Sequence, residues 1–100
     1  MKRRYLLTGP AAADLNDILD YISGQSVQSA VLVATRMEKL FDRIASAPGI
    51  GHRSKELRDE SLRLIAASGY LVIYDPTLKP LHILRVVRGL RDLRRVAPRP

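Results

Sequence analysis

The sequence contains no cysteine. Disulfides and thiolate metal sites are therefore excluded, which fits a reducing compartment. Histidine is scarce: His52 and His82 are the only two, and neither sits in a ligand-spaced cluster, so no metal site is expected. No apolar run approaches the ~20 residues of a membrane span. The basic opening "MKRRYLLTGPAAADL" has its apolar stretch broken by Gly9 and Pro10, with Asp14 following, and does not read as a signal peptide. Internal repeats, low-complexity tracts and interdomain linkers are missing. So are GxxxxGK[ST], GxGxxG and GxSxG, the spacings that cradle phosphates or present a nucleophile. "GIGH" is too short for a phosphate loop and reads as a turn. No cofactor is expected.

What remains is one domain's worth of chain, residues 1–100, with 46% apolar residues. A domain of this size buries roughly 60–70% of its unfolded surface and needs no staples. Formal net charge is +7, and the excess is concentrated. From Leu81 onward, Arg85, Arg88, Arg91, Arg94, Arg95 and Arg99 face a single acid, Asp92, a net of +5. Such a concentration favours nucleic acid, an anionic surface or an acidic protein. Composition alone leaves a solvated basic tail standing level with these.

Lys2–Thr8 reads as a short first strand, stopped by Gly9-Pro10. Pro10 suits the first turn of a helix, where its missing N–H costs nothing. From Pro10 to about Ser23, Ala11, Leu15, Ile18, Leu19 and Ile22 recur at helical spacing. Asp14, Asn16, Asp17 and Asp20 fall on the other, solvated face. Gly24 is the expected C-cap. Ser26 caps a second helix from Val27 to about Ala47, whose seam is Val27, Ala30, Ala34, Met37, Phe41 and Ile44. At about 100° per residue Leu32 lies nearly opposite that seam, among Gln28, Arg36 and Lys39. A lone exposed leucine is ordinary; a surface completed by a partner is the alternative.

Pro48–Gly51 is a turn, and "HRSKELRDES" reads as a polar loop with at most a brief edge strand. "LRLIAAS", "YLVIYD" and "LHILRVV" are three strands with short connections, hence an antiparallel meander. Gly89 ends the last, and "LRDLRRV" is left with a short helical turn. The order predicts an α+β domain: an N-terminal strand and a helical hairpin packed on one face of an antiparallel sheet. Two helices cannot cover both faces, so the other face is expected to be open or covered by something else.

Metal-free RNA cleavage would need a base for the 2′-OH, an acid for the leaving oxygen and cations for the phosphorane. Arg63 and Arg85 could supply charge. The proton-transfer candidates are His52, Glu56, Glu60, Tyr70, Tyr74 and His82. His82, inside "PLHIL", reads as structural. Tyr70 and Tyr74 share a strand face, as core, interface or stacking platform. After Gly89 there is no His, Tyr, Glu or Lys. An independent nucleic-acid module lacks support, because neither an aromatic-rich basic face nor a recognition helix is present.

Several motifs, in order and over nearly the whole chain, resemble toxins of the RelE/ParE superfamily of bacterial toxin–antitoxin systems, the ParE branch most closely. Ala11, Asp14, Leu15, Ile18 and Tyr21 resemble the family's first helix, "A-x-x-DL-x-x-I-x-x-Y". Pro48, Gly51, Arg53, Glu56 and Leu57 resemble its "P-x-x-G" turn and "R-x-x-EL". Arg63 and Tyr74 resemble its strand pair. Ile83, Arg85, Val86, Gly89, Arg91 and Asp92 resemble its "I-x-R-V-x-H-G-x-R-D" ending, with Arg88 where many relatives have histidine.

The resemblance implies a small cytoplasmic toxin without catalytic residues or metal. Its partner would be a ParD-like antitoxin with a DNA-binding part and an amphipathic, often acidic tail. DNA gyrase is the implied target, and operator DNA is met only through the antitoxin. RelE-type relatives instead cut mRNA on the ribosome; the lack of a proton-transfer residue after Gly89 argues for the ParE branch. On this reading Leu32, Arg88, Arg91, Arg94 and Arg95 contact antitoxin or target. Arg63, Arg85 and Asp92 are structural, Arg85 and Asp92 through internal ion pairs.

Overall fold

The computed structural model describes residues 4–96. Four strands, β1 (Tyr5–Leu7), β2 (Arg63–Ala67), β3 (Tyr70–Asp75) and β4 (Leu81–Val87), and three helices, α1 (Gly9–Ser23), α2 (Val27–Ser46) and α3 (Leu90–Val96), make up the fold. The α+β class and the helical hairpin over a sheet are as expected. Lys2 and Arg3 of the expected first strand lie outside the described residues, as does Arg99.

Short polar side chains begin both long helices. Thr8 accepts from the Ala11 N–H at 3.2 Å, so α1 starts at Gly9 with Pro10 in its first turn. Ser26 accepts from the Ser29 N–H at 3.1 Å to start α2. Each satisfies one of the donors a helix start leaves unpaired. Gly24 ends α1 by donating to the Asp20 carbonyl at 3.1 Å, with right-handed backbone. The buried seam of α2 is Ala30, Met37, Leu40, Phe41 and Ile44. Val27, expected in that seam, is 68% exposed. It sits at the helix tip and, at about 100° per residue, roughly 80° from the seam's centre.

The strand order is β1-β4-β3-β2. β2, β3 and β4 form the antiparallel meander that their short connections require. Ser68 and Gly69, both at positive φ, make the two-residue turn between β2 and β3. β1 instead pairs parallel with β4, Tyr5 opposite Leu81, so the sheet is mixed. The long return through both helices and two strands permits this. A bulge shifts the β3–β4 register beside Tyr74. It lets Ile83 and Val86, of opposite parity, both reach the helix-side core.

That core gathers Met37, Phe41, Ile44, Val72, Tyr74 and Ile83 between the hairpin and the sheet. A second core lies on the other face: Leu57, Leu62, Ile73, Val87 and Leu93. The expected open face is therefore covered by the chain itself. A single 3₁₀ turn, Lys55–Leu57, and the residues after it bring in Leu57 and Leu62, while α3 brings in Leu93 and Val96. The charged "HRSKELRDES" hides one leucine at full burial, too isolated to show a period.

Candidate protein-contact surfaces

The arginines singled out from the sequence divide between structural and exposed roles. Arg85 leaves β4 at the bulge and meets α1. Its Nε and Nη2 donate to the two carboxylate oxygens of Asp14 at 2.7 and 2.8 Å, and the Val86 N–H donates to the same carboxylate at 3.0 Å. The hydrogen bond from Arg85 to Asp14 raises the guanidinium's pKa further above its ordinary value. Asp14 is thus no member of a solvated face. Its side chain clips the first helix to the last strand with all its acceptors directed at β4. Arg63 donates to the Gly51 carbonyl at 3.3 Å and holds the turn after α2.

Tyr74 completes that turn from beneath. Its hydroxyl donates to the Pro48 carbonyl at 2.6 Å and accepts from the Gly51 N–H at 2.8 Å. Burial pushes its phenol pKa up. A Cβ at residue 51 would collide with the Tyr74 ring and hydroxyl, which is why glycine stands there. Tyr70 packs against the same core, on the strand face it shares with Tyr74.

On α3, Leu93 is fully buried. At about 100° per residue Arg91, Arg94 and Arg95 then fan across the helix's outer side. Arg94 reaches back to Glu56, Nε to Oε2 at 2.8 Å. That hydrogen bond holds the Glu56 carboxyl below the ordinary carboxylate range, and the nearby Arg94 and Arg58 charges act in the same direction. Arg95 stands 3.9 Å from Asp92. The pairings are thus Arg85 with Asp14 and Asp92 with Arg95. Arg88 and Arg95 line a groove of about 240 Å³ between α1, the end of β4 and α3, together with Asp14, Asp17 and Asp92. The basic end is therefore spread around α3, with interleaved acids, and does not form one cationic pad. Replacing Arg91, Arg94 and Arg95 together by Ala is expected to leave the denaturation midpoint near the parent's, since none carries core. Affinity for an acidic protein partner docked on this end should fall at least about tenfold if one well-formed charged contact is lost. Calorimetric titration of the folded variant checks this; Arg91→Ala alone separates its share.

Sequence reasoning isolated Leu32, which is 50% exposed, but missed its company. Tyr21 is 60%, Val27 68% and Val31 61% exposed. All four lie where α1 ends and α2 begins. Val27 and Val31 are four apart and share a helix face. Arg88 lies over the Tyr21 ring, 5.7 Å from its centroid, and brings one cation to this apolar end. The signal was available as two valines one turn apart, but Val27 read as part of the seam and Val31 was assigned to no face.

The proton-transfer candidates are scattered or engaged. His82 Nδ1 lies 2.8 Å from the Pro80 carbonyl. Tyr74 is sealed into the turn, and Glu56 is bound by Arg94. Among the described residues no cluster of three or more His, Cys, Asp or Glu could hold a metal ion.

With this geometry in hand, comparison with known proteins is specific. A family model described as the ParE toxin of type II toxin–antitoxin system, parDE, matches residues 5–93. Arg94 and Arg95 fall just beyond the matched stretch. No curated protein sequence matches the chain. A solved structure of the chromosomal ParDE TA system from P. aeruginosa has the same fold, with a TM-score of 0.70 at 21% identity over 84% of this chain and 92% of that one.

Proposed function

The chain belongs to the ParE toxin family of type II toxin–antitoxin systems, and from that membership we propose that a ParD-like antitoxin neutralises it and that it acts by inhibiting DNA gyrase. The observation that carries the reading is the apolar end of the helical hairpin. Tyr21, Val27 and Val31 stand in water, Arg88 lies over the Tyr21 ring, and Leu32 is exposed roughly 100° further round α2 from Val31. An amphipathic, acidic antitoxin helix would bury those side chains and pair with the cation. Clustered exposed apolar side chains of this kind mark protein contacts.

Inhibition by contact, without catalysis, is supported by where the polar groups point. A general base must reach its proton, and a general acid needs a pKa near the working pH. Tyr74 is committed to two backbone groups, and its pKa is pushed away from neutrality. Glu56 is pushed downward, likewise away from neutrality. Operator DNA enters only through the antitoxin, and the site of action is the cytoplasm. No helix among the described residues is long and apolar enough to cross a membrane.

Two outcomes are expected. Expression of the chain alone arrests growth, and co-expression of the antitoxin encoded beside it restores growth and yields a co-purifying complex. The association rate falls as salt rises, because exposed charges are screened beyond about 8–10 Å at physiological ionic strength. Persistent arrest with the antitoxin present would remove the neutralisation half of the proposal. His82→Ala should keep its toxicity in proportion to folded protein. Its selective loss in a stably folded variant would point to RNA cleavage instead.

A further inference from the structure

Leu32 begins a line along α2. Arg36, Lys39, Arg43 and Ser46 follow it at alternating steps of four and three residues. At about 100° per residue, all five fall within roughly 80° of one another. Leu32, Arg36, Lys39, Arg43 and Ser46 are all exposed. Of the acids on this stretch, Glu38 lies roughly 120° from the centre of the line, and Asp42 borders it on the Lys39–Ser46 side, roughly 80° from that centre. Among the described residues Arg36, Lys39 and Arg43 form no ion pair. Three unpartnered cations thus lead from an exposed leucine to the C-terminal end of the helix.

The line ends at a cleft. Arg4 donates to the Ser46 hydroxyl at 2.9 Å and forms one rim. Lys79 forms another, and between them Pro48, Pro76, Leu78 and Pro80 wall a space of about 290 Å³. No acidic residue lines it. Leu78 is 41% exposed. The prolines present no backbone N–H, and apart from the two cations the one polar side chain in the lining is Ser46, already engaged by Arg4. The size is at the low end of the ~300–1,000 Å³ of small-molecule pockets and suits one or two side chains of a docked segment. Apolar walls with cations and no anion call for an apolar side chain flanked by carboxylates.

We propose that the antitoxin's acidic tail runs along the Leu32–Arg36–Lys39–Arg43 line of α2 and seats an apolar side chain in this cleft. The inference rests on the antitoxin reading and adds to it a path and an endpoint. Leu32 to Ser46 spans fourteen residues, about 21 Å at 1.5 Å per residue. An extended tail covers that in about six or seven residues at ~3.3 Å each. A tail leaving the apolar end of the hairpin is therefore delivered to the cleft by a short segment. Contacts at both ends of one chain reinforce each other through effective concentration.

The test is calorimetric titration of the full chain with the full-length antitoxin encoded beside it. The variants are Arg36→Glu/Lys39→Glu/Arg43→Glu, Leu78→Asp, and Lys55→Glu as a control away from the path. Every substituted side chain is exposed, and circular dichroism confirms folding. The triple reversal and Leu78→Asp should each weaken binding at least about tenfold, while the control stays at the parent affinity. If the parent binds and both folded variants bind equally well, the path is wrong and the antitoxin reading stands. If the parent does not bind, the reading falls and takes the path with it. If the variants lose self-association in sedimentation and keep antitoxin binding, the line belongs to a second copy and the proposal is overturned.

Discussion

Leu93→Ala should lower the free energy of unfolding by about 2–5 kcal/mol, the range for emptying a fully buried leucine site. The side chain has no exposed surface and packs with Leu57, Leu62, Ile73 and Val87. α3 has only seven residues, too few to be stable alone, so tertiary packing supplies its stability. Removing the side chain that anchors it should loosen the whole terminal helix and the Glu56–Arg94 contact with it. Urea denaturation checks the magnitude. Amide exchange across residues 90–96 should quicken more than across β3. A variant with the parent's stability would mean that α3 does not seal the second core.

Asp14→Ala should cost about 2–3 kcal/mol, less than the ~3–5 kcal/mol for breaking a fully buried pair, because the Arg85 side chain keeps some solvent. The substitution strands a guanidinium and the Val86 N–H beside α1. Asp14→Asn should cost less, since its amide oxygen still accepts from that N–H. A double-mutant cycle with Arg85→Met isolates the coupling: once the cation is gone, Asp14→Ala should be milder. Equal costs in both backgrounds would show that Asp14 acts through Val86 alone.

How far the fold could be read in advance depended on periodicity. The hairpin helices and three of the strands carried sustained apolar patterns, and the caps at Ser26 and Gly24 were readable as residue types. The second core was not. Leu57 and Leu62 sit singly among charges, and Leu93 lies in a stretch dominated by arginine. Their burial depends on the sheet's far face, which no local window contains. The parallel pairing of β1 is likewise a matter of where a long connection returns.

The site divides in the same way. Leu32 and the terminal arginines could be placed on the surface by type and spacing, but the residues around them could not. Asp14 looked solvated on a helical wheel because a wheel does not show a neighbouring strand. Its true partner, Arg85, is 71 positions away. Arg94 looked free until the fold brought Glu56, 38 positions earlier, beneath it. Long-range ion pairs leave no periodic trace. Val27 shared both the residue type and the spacing of the core, so only its exposure at the helix tip separates it from the seam.

The claim that matters most is that this ParE-family chain acts by contact with gyrase. The direct measurement is a pair of assays on one preparation of the antitoxin-free, folded chain: supercoiling of relaxed plasmid by purified gyrase, and cleavage of mRNA on translating ribosomes. The account predicts dose-dependent loss of supercoiling, reversed by adding antitoxin, with intact mRNA. Undisturbed supercoiling with antitoxin-sensitive mRNA cleavage would contradict it.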